Sequence, residues 1–486
     1  MSIKLGKDFR FGFSIVGVQH EMGLPGSEFV SDWVLWLHDQ ENIVSGLVSG
    51  DFPENGPGYW HLYRQDHDIA ERLGMDAMWI TIEWARIFPR PTTDVVVPID
   101  RDSEGIKGVY IDVEHIEKLR SYADRDALRR YREIIEDWKS RGGMVIVNLF
   151  HWSLPIWLHD PIKVRKLGVD RAPAGWVDEK TVVEYTKFVA FIAHELGDVV
   201  DMWYTMNEPN VIASLGYIQI QSGFPPGYLD IDCYKRVVKH LAEAHARGYE
   251  AVKLFSKKPI GIVESIASWI PLREGDREAA EKGFRYNLWP IEVAVNGYLD
   301  DVYRDDLKGH LDWIGLNYYT RNVVVSDPRS LQGFRILPGY GYGCTPRGIS
   351  IDGRPCSDFG WEIYPEGIYD VLKRLWDRYR LPIYVTENGI ADAVDALRPH
   401  FIVSHLYQIH RARSEGVDVR GYFHWNLIDN LEWAQGYRMR FGLVHVDFET
   451  KKRYLRPSAL LFREIASGKE IPDEFMHMVY PPRYRV

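Results

Sequence analysis

The feature that most constrains the fold is a short apolar strand followed by an amphipathic helix, a unit that recurs about eight times. The strand candidates are apolar throughout, as is typical of strands buried on both faces of a parallel sheet. They cover residues 9–15, 77–82, 144–148, 202–206, 259–263, 313–316, 383–386 and 421–425. The helical patterns that follow cover residues 62–73, 126–141, 179–196, 235–255, 290–298, 365–379, 399–414 and 457–465. Such units predict an α/β fold, a closed (β/α)8 TIM barrel, with an open doubly wound sheet as the alternative.

The chain is longer than a barrel of this kind needs. A typical (β/α)8 barrel takes ~250 residues, whereas this chain has 486. We expect the surplus to lie in long βα loops, because this fold carries its functional residues there. No internal repeat, linker or low-complexity segment marks a second domain. Residues 1–486 are therefore predicted to form a single barrel domain.

Composition and charge exclude several classes of function. The net charge of −10 argues against nucleic acid or an anionic membrane as the main partner. No apolar run reaches the ~20 residues of a membrane span, and the first residues lack a signal-peptide segment, so we expect a cytoplasmic protein. The histidines show no ligand spacing and there is no CxxC motif, so we predict neither a metal nor another cofactor. Cys344 and Cys356 could pair, but we expect loop cysteines in a reducing compartment to be free.

Two of the strand candidates end in a glutamate. Residues 383–386 lead into Glu387, and residues 202–206 lead into Glu208. Pro209 favours extended backbone at the residue before it, which restricts the direction of Glu208. A single glutamate at a strand end is usually a solvated turn residue. Two of them at the same rim of a barrel predict a pair of carboxylates that act on one substrate.

Further polar and aromatic side chains follow other strand candidates and would share that rim, namely Gln19, Arg86, His151, Asn207, Asn317, Tyr319 and Trp425. Each of them taken alone has a structural explanation, so the argument depends on their joint placement. An ionised nucleophile needs a cation or a phenol donor nearby, and Arg86 and Tyr319 suit that task for Glu387. Asn207 could bind a sugar 2-hydroxyl. The 17 tryptophans and 28 tyrosines also suit the apolar faces of sugar rings.

Several longer motifs make the chain similar to a known family almost from end to end. They include Trp84-Ala85-Arg86-Ile87-Phe88-Pro89, His151-Trp152, Thr205-Met206-Asn207-Glu208-Pro209-Asn210, Asn317-Tyr318-Tyr319, Thr386-Glu387-Asn388-Gly389 and Glu432-Trp433. With these motifs the chain resembles glycoside hydrolase family 1, especially the archaeal β-glycosidases of thermophiles. His20 and Asn426 depart from the pattern that this resemblance leads us to expect, and both flank the predicted sugar pocket.

The resemblance implies a retaining β-glycosidase that hydrolyses terminal non-reducing glucosides, galactosides and fucosides through a covalent glycosyl-enzyme. Glu208 would be the acid/base and Glu387 the nucleophile, with Arg86, Asn317 and Tyr319 supporting the nucleophile. The substrate-binding residues would be Gln19, His151, Trp152, Asn207, Trp361, Trp425, Glu432 and Trp433. Such a catalytic domain would use no metal and no other cofactor, and the archaeal relatives suggest a homo-oligomer, a tetramer or a dimer.

Two kinds of alternative remain open. A β-mannosidase or a barrel endo-glycanase could use the same pair of carboxylates, and an open groove would favour the endo-glycanase. A sugar-binding pseudoenzyme would have lost one of the two glutamates, but both are present. The sequence does not rank glucosides, galactosides, fucosides and mannosides. It also does not set the aglycone preference or the balance between hydrolysis and transglycosylation.

Overall fold

Eight parallel strands close into a barrel, which confirms the predicted (β/α)8 architecture. The computed structural model describes residues 2–299, 301–330 and 332–484. The barrel strands are β1 Arg10–Ile15, β2 Ala77–Thr81, β3 Met144–Asn148, β4 Met202–Asn207, β5 Ile260–Ser265, β6 Trp313–Asn317, β7 Ile383–Asn388 and β8 Val419–His424. Each strand pairs with the next in chain order, and β8 pairs with β1 to complete the circle.

A helix follows every barrel strand and covers its outer face. The barrel helices are α1 Tyr59–Arg72, α2 Arg125–Ser140, α3 Lys180–Leu196, α4 Ile231–Phe255, α5 Arg277–Asn296, α6 Glu366–Tyr379, α7 Arg398–Ser414 and α8 Pro457–Gly468. Local signals explain their ends. At the start of α2, the carboxylate of Asp124 accepts hydrogen bonds from the backbone N–H groups of Asp126 and Ala127, which satisfies donors that an uncapped helix leaves unpaired.

The fifth helix differs from its prediction. The sequence pattern predicted a helix only over residues 290–298. The helix instead begins at Arg277, contains Pro290 and ends at Asn296, and its C-cap Gly297 adopts φ 78°. Burial of Trp289 and Ile291 on either side of the proline stabilises a helix that an interior proline weakens.

Strand side chains alternate between two apolar layers. On β2, Ala77 and Trp79 face the barrel interior, whereas Met78 and Ile80 pack outward against the helices. The interior is filled at its base by close contacts. A Cβ atom at Gly12 would lie 2.3 Å from the ring of Phe423, so a glycine is required there. Because side chains fill the barrel, polar residues reach a shared space only at the last residues of the strands and beyond them.

The surplus length lies in loops at the carboxyl ends of the strands, as predicted. The longest cover residues 16–58, 82–124, 318–365 and 425–456. In the loop after β6, Cys344 and Cys356 form a disulfide, so the expectation of free thiols was wrong for them. The loop brings their Cα atoms to 6.4 Å across a sequence separation of 12 residues, a proximity that their spacing alone does not establish. Cys233 is free and buried.

None of the helices in the described ranges is long and apolar enough to cross a membrane. Within the same ranges, no group of three or more histidine, cysteine, aspartate or glutamate side chains is arranged to hold a metal ion.

Candidate active site

The two predicted glutamates lie together at the carboxyl rim of the barrel. Glu208 follows β4 directly in a left-handed backbone conformation with φ 49°, so the extended backbone expected before Pro209 was wrong. Glu387 lies near the end of β7. Their exposed fractions are only 5% and 4%. The Tyr319 hydroxyl donates to Oε2 of Glu387 at 2.6 Å, and Nδ2 of Asn317 donates to Oε1 of Glu208 at 2.7 Å. The end of β6 and the residues after it therefore orient both carboxyl groups.

The two carboxyl groups are coupled in their protonation. Burial raises the pKa of Glu208 to about 7, against a hydrogen bond from Asn317 that lowers it. Burial and the charge of Glu208 raise the pKa of Glu387 well above its ordinary value, while hydrogen bonds from Tyr319 and Asn317 lower it. Two carboxyl groups in one buried pocket share a proton, because ionising both is unfavourable. The site can therefore hold one acid and one carboxylate at neutral pH.

Several oxygen atoms in the pocket are left without a partner. Nε2 of Gln19 donates to the Leu431 carbonyl at 2.9 Å and to Oδ1 of Asn430 at 3.3 Å. Oε1 of Gln19, Oε2 of Glu432 and Oε1 of Glu387 are buried and have no hydrogen bond among the described residues. Buried polar atoms usually find a partner, and a ligand that carries several hydroxyl groups would supply one to each of these three acceptors.

Aromatic rings form the walls and floor of the pocket. His151 stacks on Trp433 at 5.9 Å between ring centroids and 11° between planes. Its Nε2 lies 3.3 Å from Nδ2 of Asn207, and burial lowers the pKa of His151 well below its ordinary value, so the imidazole is neutral. Trp425 is buried beside His20, with 6.0 Å between their ring centroids. Flat neutral rings of this kind suit a sugar.

Trp152 and Trp361 are less buried than Trp425 and Trp433. Nε1 of Trp152 donates to the Asn207 carbonyl at 3.1 Å. Trp361 packs near Tyr319, with 5.1 Å between their ring centroids, and stacks on Phe359 at 4.3 Å. Both tryptophans are partly exposed. The predicted binding residues thus lie around one pocket.

Arg86 is the exception, and the expectation that it supports Glu387 was wrong. Its Nε donates to Oε2 of Glu21 at 2.9 Å and its Nη2 to the Ser27 carbonyl at 2.7 Å. The guanidinium also packs over the ring of Trp60 at 4.0 Å. Arg86 lies in a short helix that begins after the end of β2, and this turn directs it toward the loop after β1 instead of into the pocket.

Sequence reasoning missed two residues behind the pocket. Trp79 on β2 donates from Nε1 to the Thr386 carbonyl at 2.9 Å and lies parallel to His151 and Trp425. Glu264 lies on β5, directly behind Glu208, and is fully buried. The strand alternation would have placed Trp79 inward. The rule that found the other glutamates would have found Glu264, because it follows the apolar run 259–263.

Comparisons with known proteins agree with this geometry. The family model described as Glycosyl hydrolase family 1 matches residues 120–304 and 292–471. A β-galactosidase of Saccharolobus solfataricus is 50% identical over 476 residues, which cover 97% of this chain and 96% of that protein.

Solved structures give the same result. The β-glycosidase of the hyperthermophile Thermosphaera aggregans superposes with a TM-score of 0.96 at 49% identity, over 99% of this chain and 100% of that one. A β-glucosidase mutant derived from a hyperthermophilic tetrameric structure superposes with a TM-score of 0.94 at 54% identity, over 98% of both chains.

A (β/α)8 barrel with a buried pair of carboxylates and a pocket rich in unpaired acceptors defines a glycoside hydrolase. The match to the family model and the sequence identity to relatives over nearly the whole chain then identify the family. The chain belongs to glycoside hydrolase family 1.

Proposed function

We propose that this enzyme is a retaining β-glycosidase that removes terminal non-reducing β-linked sugars. The observation that carries the proposal is the buried pair Glu208 and Glu387, in which each carboxyl group has its own hydrogen-bond donor. The unpaired oxygens of Gln19 and Glu432 supply acceptors for sugar hydroxyls. No cofactor takes part in the proposed reaction.

In the first step, Oε1 of Glu387 attacks the anomeric carbon, because Oε2 is already occupied by the Tyr319 hydroxyl. The bond to the leaving oxygen breaks, and Glu208 transfers its proton to that oxygen. In the second step, Glu208 removes a proton from water, the water oxygen attacks the anomeric carbon, and the bond to Glu387 breaks. Two inversions at that carbon leave the product in the β configuration.

The remaining predicted residues have roles that their positions support. We propose that Asn207 binds the sugar 2-hydroxyl, that Gln19, His151 and Glu432 bind the other hydroxyls together with Trp433, and that Trp425 packs beneath the ring. Trp152 and Trp361 would contact the leaving group. Asn317 holds Glu208 directly and accepts at Oδ1 from Thr386 at 2.7 Å, so it couples the segments that carry both glutamates.

The substrate should be a neutral sugar. The relatives named above are a β-galactosidase, a β-glycosidase and a β-glucosidase, which supports glucosides, galactosides and the related fucosides as substrates of this chain. Glu432 would lie near the sugar 4- and 6-hydroxyls, and above its pKa of about 8 its negative charge would repel a 6-phosphate, which carries about −2.

Parallel assays of 4-nitrophenyl β-glucoside, β-galactoside, β-fucoside and β-mannoside test the proposal. We expect hydrolysis of the first three and the β-anomer as the first product seen by NMR. The two carboxyl groups should lie ~5–5.5 Å apart, as in retaining enzymes. An α-anomer as first product would contradict the mechanism, and a dominant mannosidase or internal-cleavage activity would contradict the substrate class.

We also propose that residues 1–486 form one catalytic domain, that the protein acts in the cytoplasm, and that it is a homo-oligomer. The eight barrel strands are distributed over residues 10–424, and α8 follows them in the chain. This distribution supports a single domain. The tetrameric parent of one structural relative supports a tetramer. Light scattering of the purified protein tests the tetramer against a dimer or a monomer.

A further inference from the structure

Glu264 is a third buried carboxyl group next to the proposed catalytic pair. It lies on β5, beside the point where the chain leaves β4, and its exposed fraction is 0%. Its neighbour Val263 faces the barrel interior, so the alternation of the strand directs Glu264 outward, into the layer between barrel and helices. It is therefore outside the sugar pocket and cannot reach the substrate.

Both oxygens of Glu264 accept hydrogen bonds from the backbone. Oε1 accepts from the N–H of Ser265 at 2.9 Å, and Oε2 accepts from the N–H of Asn210 at 3.2 Å. Asn210 lies in the first turn of the helix Pro209–Tyr217, which follows Glu208. The backbone N–H of Glu208 in turn donates to the Val263 carbonyl at 2.8 Å. Strand β5 thus holds the backbone on both sides of the Glu208 side chain.

The helix Pro209–Tyr217 lacks an ordinary cap. Glu208 occupies its N-cap position but makes no side-chain capping bond, because its carboxyl group is turned toward Asn317 and the pocket. The first N–H groups of a helix need acceptors, and an acidic group there is favoured by the helix dipole. Pro209 has no N–H, and the next donor, at Asn210, is taken by Glu264.

Electrostatics gives a second link between the two glutamates. Burial and the charge of Glu208 raise the pKa of Glu264, and its hydrogen bonds from Asn210 and Ser265 lower it. None of the ion pairs found among the described residues involves Glu264. A buried carboxyl group is costly without a cation, so its presence beside a helix start calls for an explanation other than general stability.

We propose that Glu264 is a positioning residue for Glu208: it caps the helix Pro209–Tyr217 from the neighbouring strand, so that the Glu208 carboxyl is free to serve the leaving-group oxygen. This inference rests on the proposed role of Glu208 as acid/base. Loss of the cap would let the first turn shift, and a displacement of about 1 Å can cost ~10²-fold in rate. The loss would fall on proton transfer and would spare nucleophilic attack.

The test is Glu264→Gln assayed on two substrates of the best-hydrolysed sugar. One carries a 2,4-dinitrophenyl leaving group, which needs little protonation, and the other carries an alkyl leaving group, which needs full protonation. The glutamine side chain has nearly the same volume, but its NH2 group cannot accept a hydrogen bond. One of the two backbone N–H groups that Glu264 pairs with therefore loses its acceptor. We expect kcat/KM to fall ~10²-fold on the alkyl glycoside and to change little on the dinitrophenyl glycoside.

The matched control is Glu243→Gln. Glu243 is also a fully buried glutamate on an element outside the pocket, but it pairs with Arg304 and Lys239. We expect it to lower stability and to leave the ratio of the two kcat/KM values unchanged. An equal loss on both substrates in Glu264→Gln, or no loss on either, would overturn the proposal.

A second variant covers the case in which Glu264→Gln does not fold. Glu264→Asp keeps the acid but shortens its reach to Asn210, so it should lose rate selectively on the alkyl glycoside as well. A parallel loss on both substrates would overturn the proposal.

Hydrogen exchange at the Asn210 amide separates this proposal from the proposed function. Both Glu264 variants should speed that exchange even if the wild type hydrolyses neither glycoside, an outcome that would refute the acid/base role of Glu208. Unchanged exchange at Asn210 would refute the cap itself.

Discussion

Two carboxylates in the loop after β8 lie three residues apart and have opposite surroundings. Asp429 is fully buried, and its oxygens accept from Arg456 at 3.0 Å from both Nη atoms and from Arg440 at 3.3 Å. Glu432 opens partly onto the pocket, has no cation beside it among the described residues, and keeps Oε2 unpaired. Asp429 is therefore part of a buried ion cluster, whereas Glu432 has an oxygen that can accept a hydrogen bond from a ligand.

The protonation of the two residues reflects this difference. Burial raises the pKa of Asp429, but His445, Arg456 and Arg440 outweigh it and bring the pKa to about 2. Burial and the charge of Glu208 raise the pKa of Glu432 to about 8, although the Trp425 indole lowers it. Buried acids with satisfied oxygens hold the structure together. Glu432, with a raised pKa and a free oxygen beside Glu208, belongs to the proposed site.

The largest expected effect is that of Glu387→Gly. Removal of the nucleophile should lower turnover of aryl and alkyl β-glycosides by about 10⁴-fold or more, since no other carboxylate faces the anomeric carbon. Formate, which fits the vacated space, should restore part of the activity. Circular dichroism serves as the control for folding, and full activity in the folded variant would remove Glu387 from the mechanism.

Glu208→Ala should have the next largest effect, and it should depend on the leaving group. Loss of the general acid should cost ~10²–10⁴-fold on poor leaving groups, and much less on dinitrophenyl glycosides, whose glycosyl-enzyme should then accumulate. In the wild type, kcat/KM should fall as the pH rises through the pKa of Glu208, about 7, because the acid form is lost. Equal losses on both substrates, or an unchanged alkaline limb in Glu208→Gln, would argue against the assignment.

Asp429→Asn should act on stability instead of catalysis. It leaves the buried Arg456 without its carboxylate, which typically costs about 3–5 kcal/mol in the free energy of unfolding. Because the folded pKa is lowered, the stabilisation is present above the unfolded pKa of ~3.9 and is lost as the pH falls toward about 2. Denaturant unfolding measures the loss, and kcat/KM per folded molecule should stay near that of the wild type. A loss of activity without a loss of stability would contradict the purely structural role that distinguishes Asp429 from Glu432.

Glu432→Gln should give the smallest change in stability and a clear change in specificity. A neutral amide removes a carboxylate that has no cation, so the free energy of unfolding should change by less than about 1 kcal/mol. At a pH above about 8, where Glu432 is ionised, the preference for neutral over 6-phosphorylated β-glycosides should narrow in the variant, because the repelling charge is gone. Denaturant unfolding and the ratio of the two kcat/KM values measure these effects. Wild-type enzyme that prefers the 6-phosphorylated substrate would refute the role given to Glu432.

The wrong predictions concern residues whose contacts depend on the tertiary structure. Arg86 follows a strand just as Glu208 does, but a short helical turn sends it to Glu21, 65 residues away. The disulfide of Cys344 and Cys356 depends on how one long loop folds back. The helix that contains Pro290 begins at Arg277, ahead of the predicted residues 290–298, and the burial of Trp289 and Ile291 stabilises it around the proline. In each case a local rule competed with a contact that only the assembled fold provides.

The sequence by itself determined a series of strand–helix units, because continuous apolar strands and helices of period 3.6 are local properties, and the closed sheet decided the barrel against the open alternative. The sequence also determined that Glu208 and Glu387 share a rim, since parallel barrel strands all end on one side. Only the tertiary structure decided which polar groups touch: that Tyr319 holds Glu387, that Arg86 does not, and that Glu264 stands behind Glu208. A hydrogen bond requires its two atoms to lie within about 3 Å of each other. The loop conformations determine which atoms come that close, and the spacing of residues in the sequence does not.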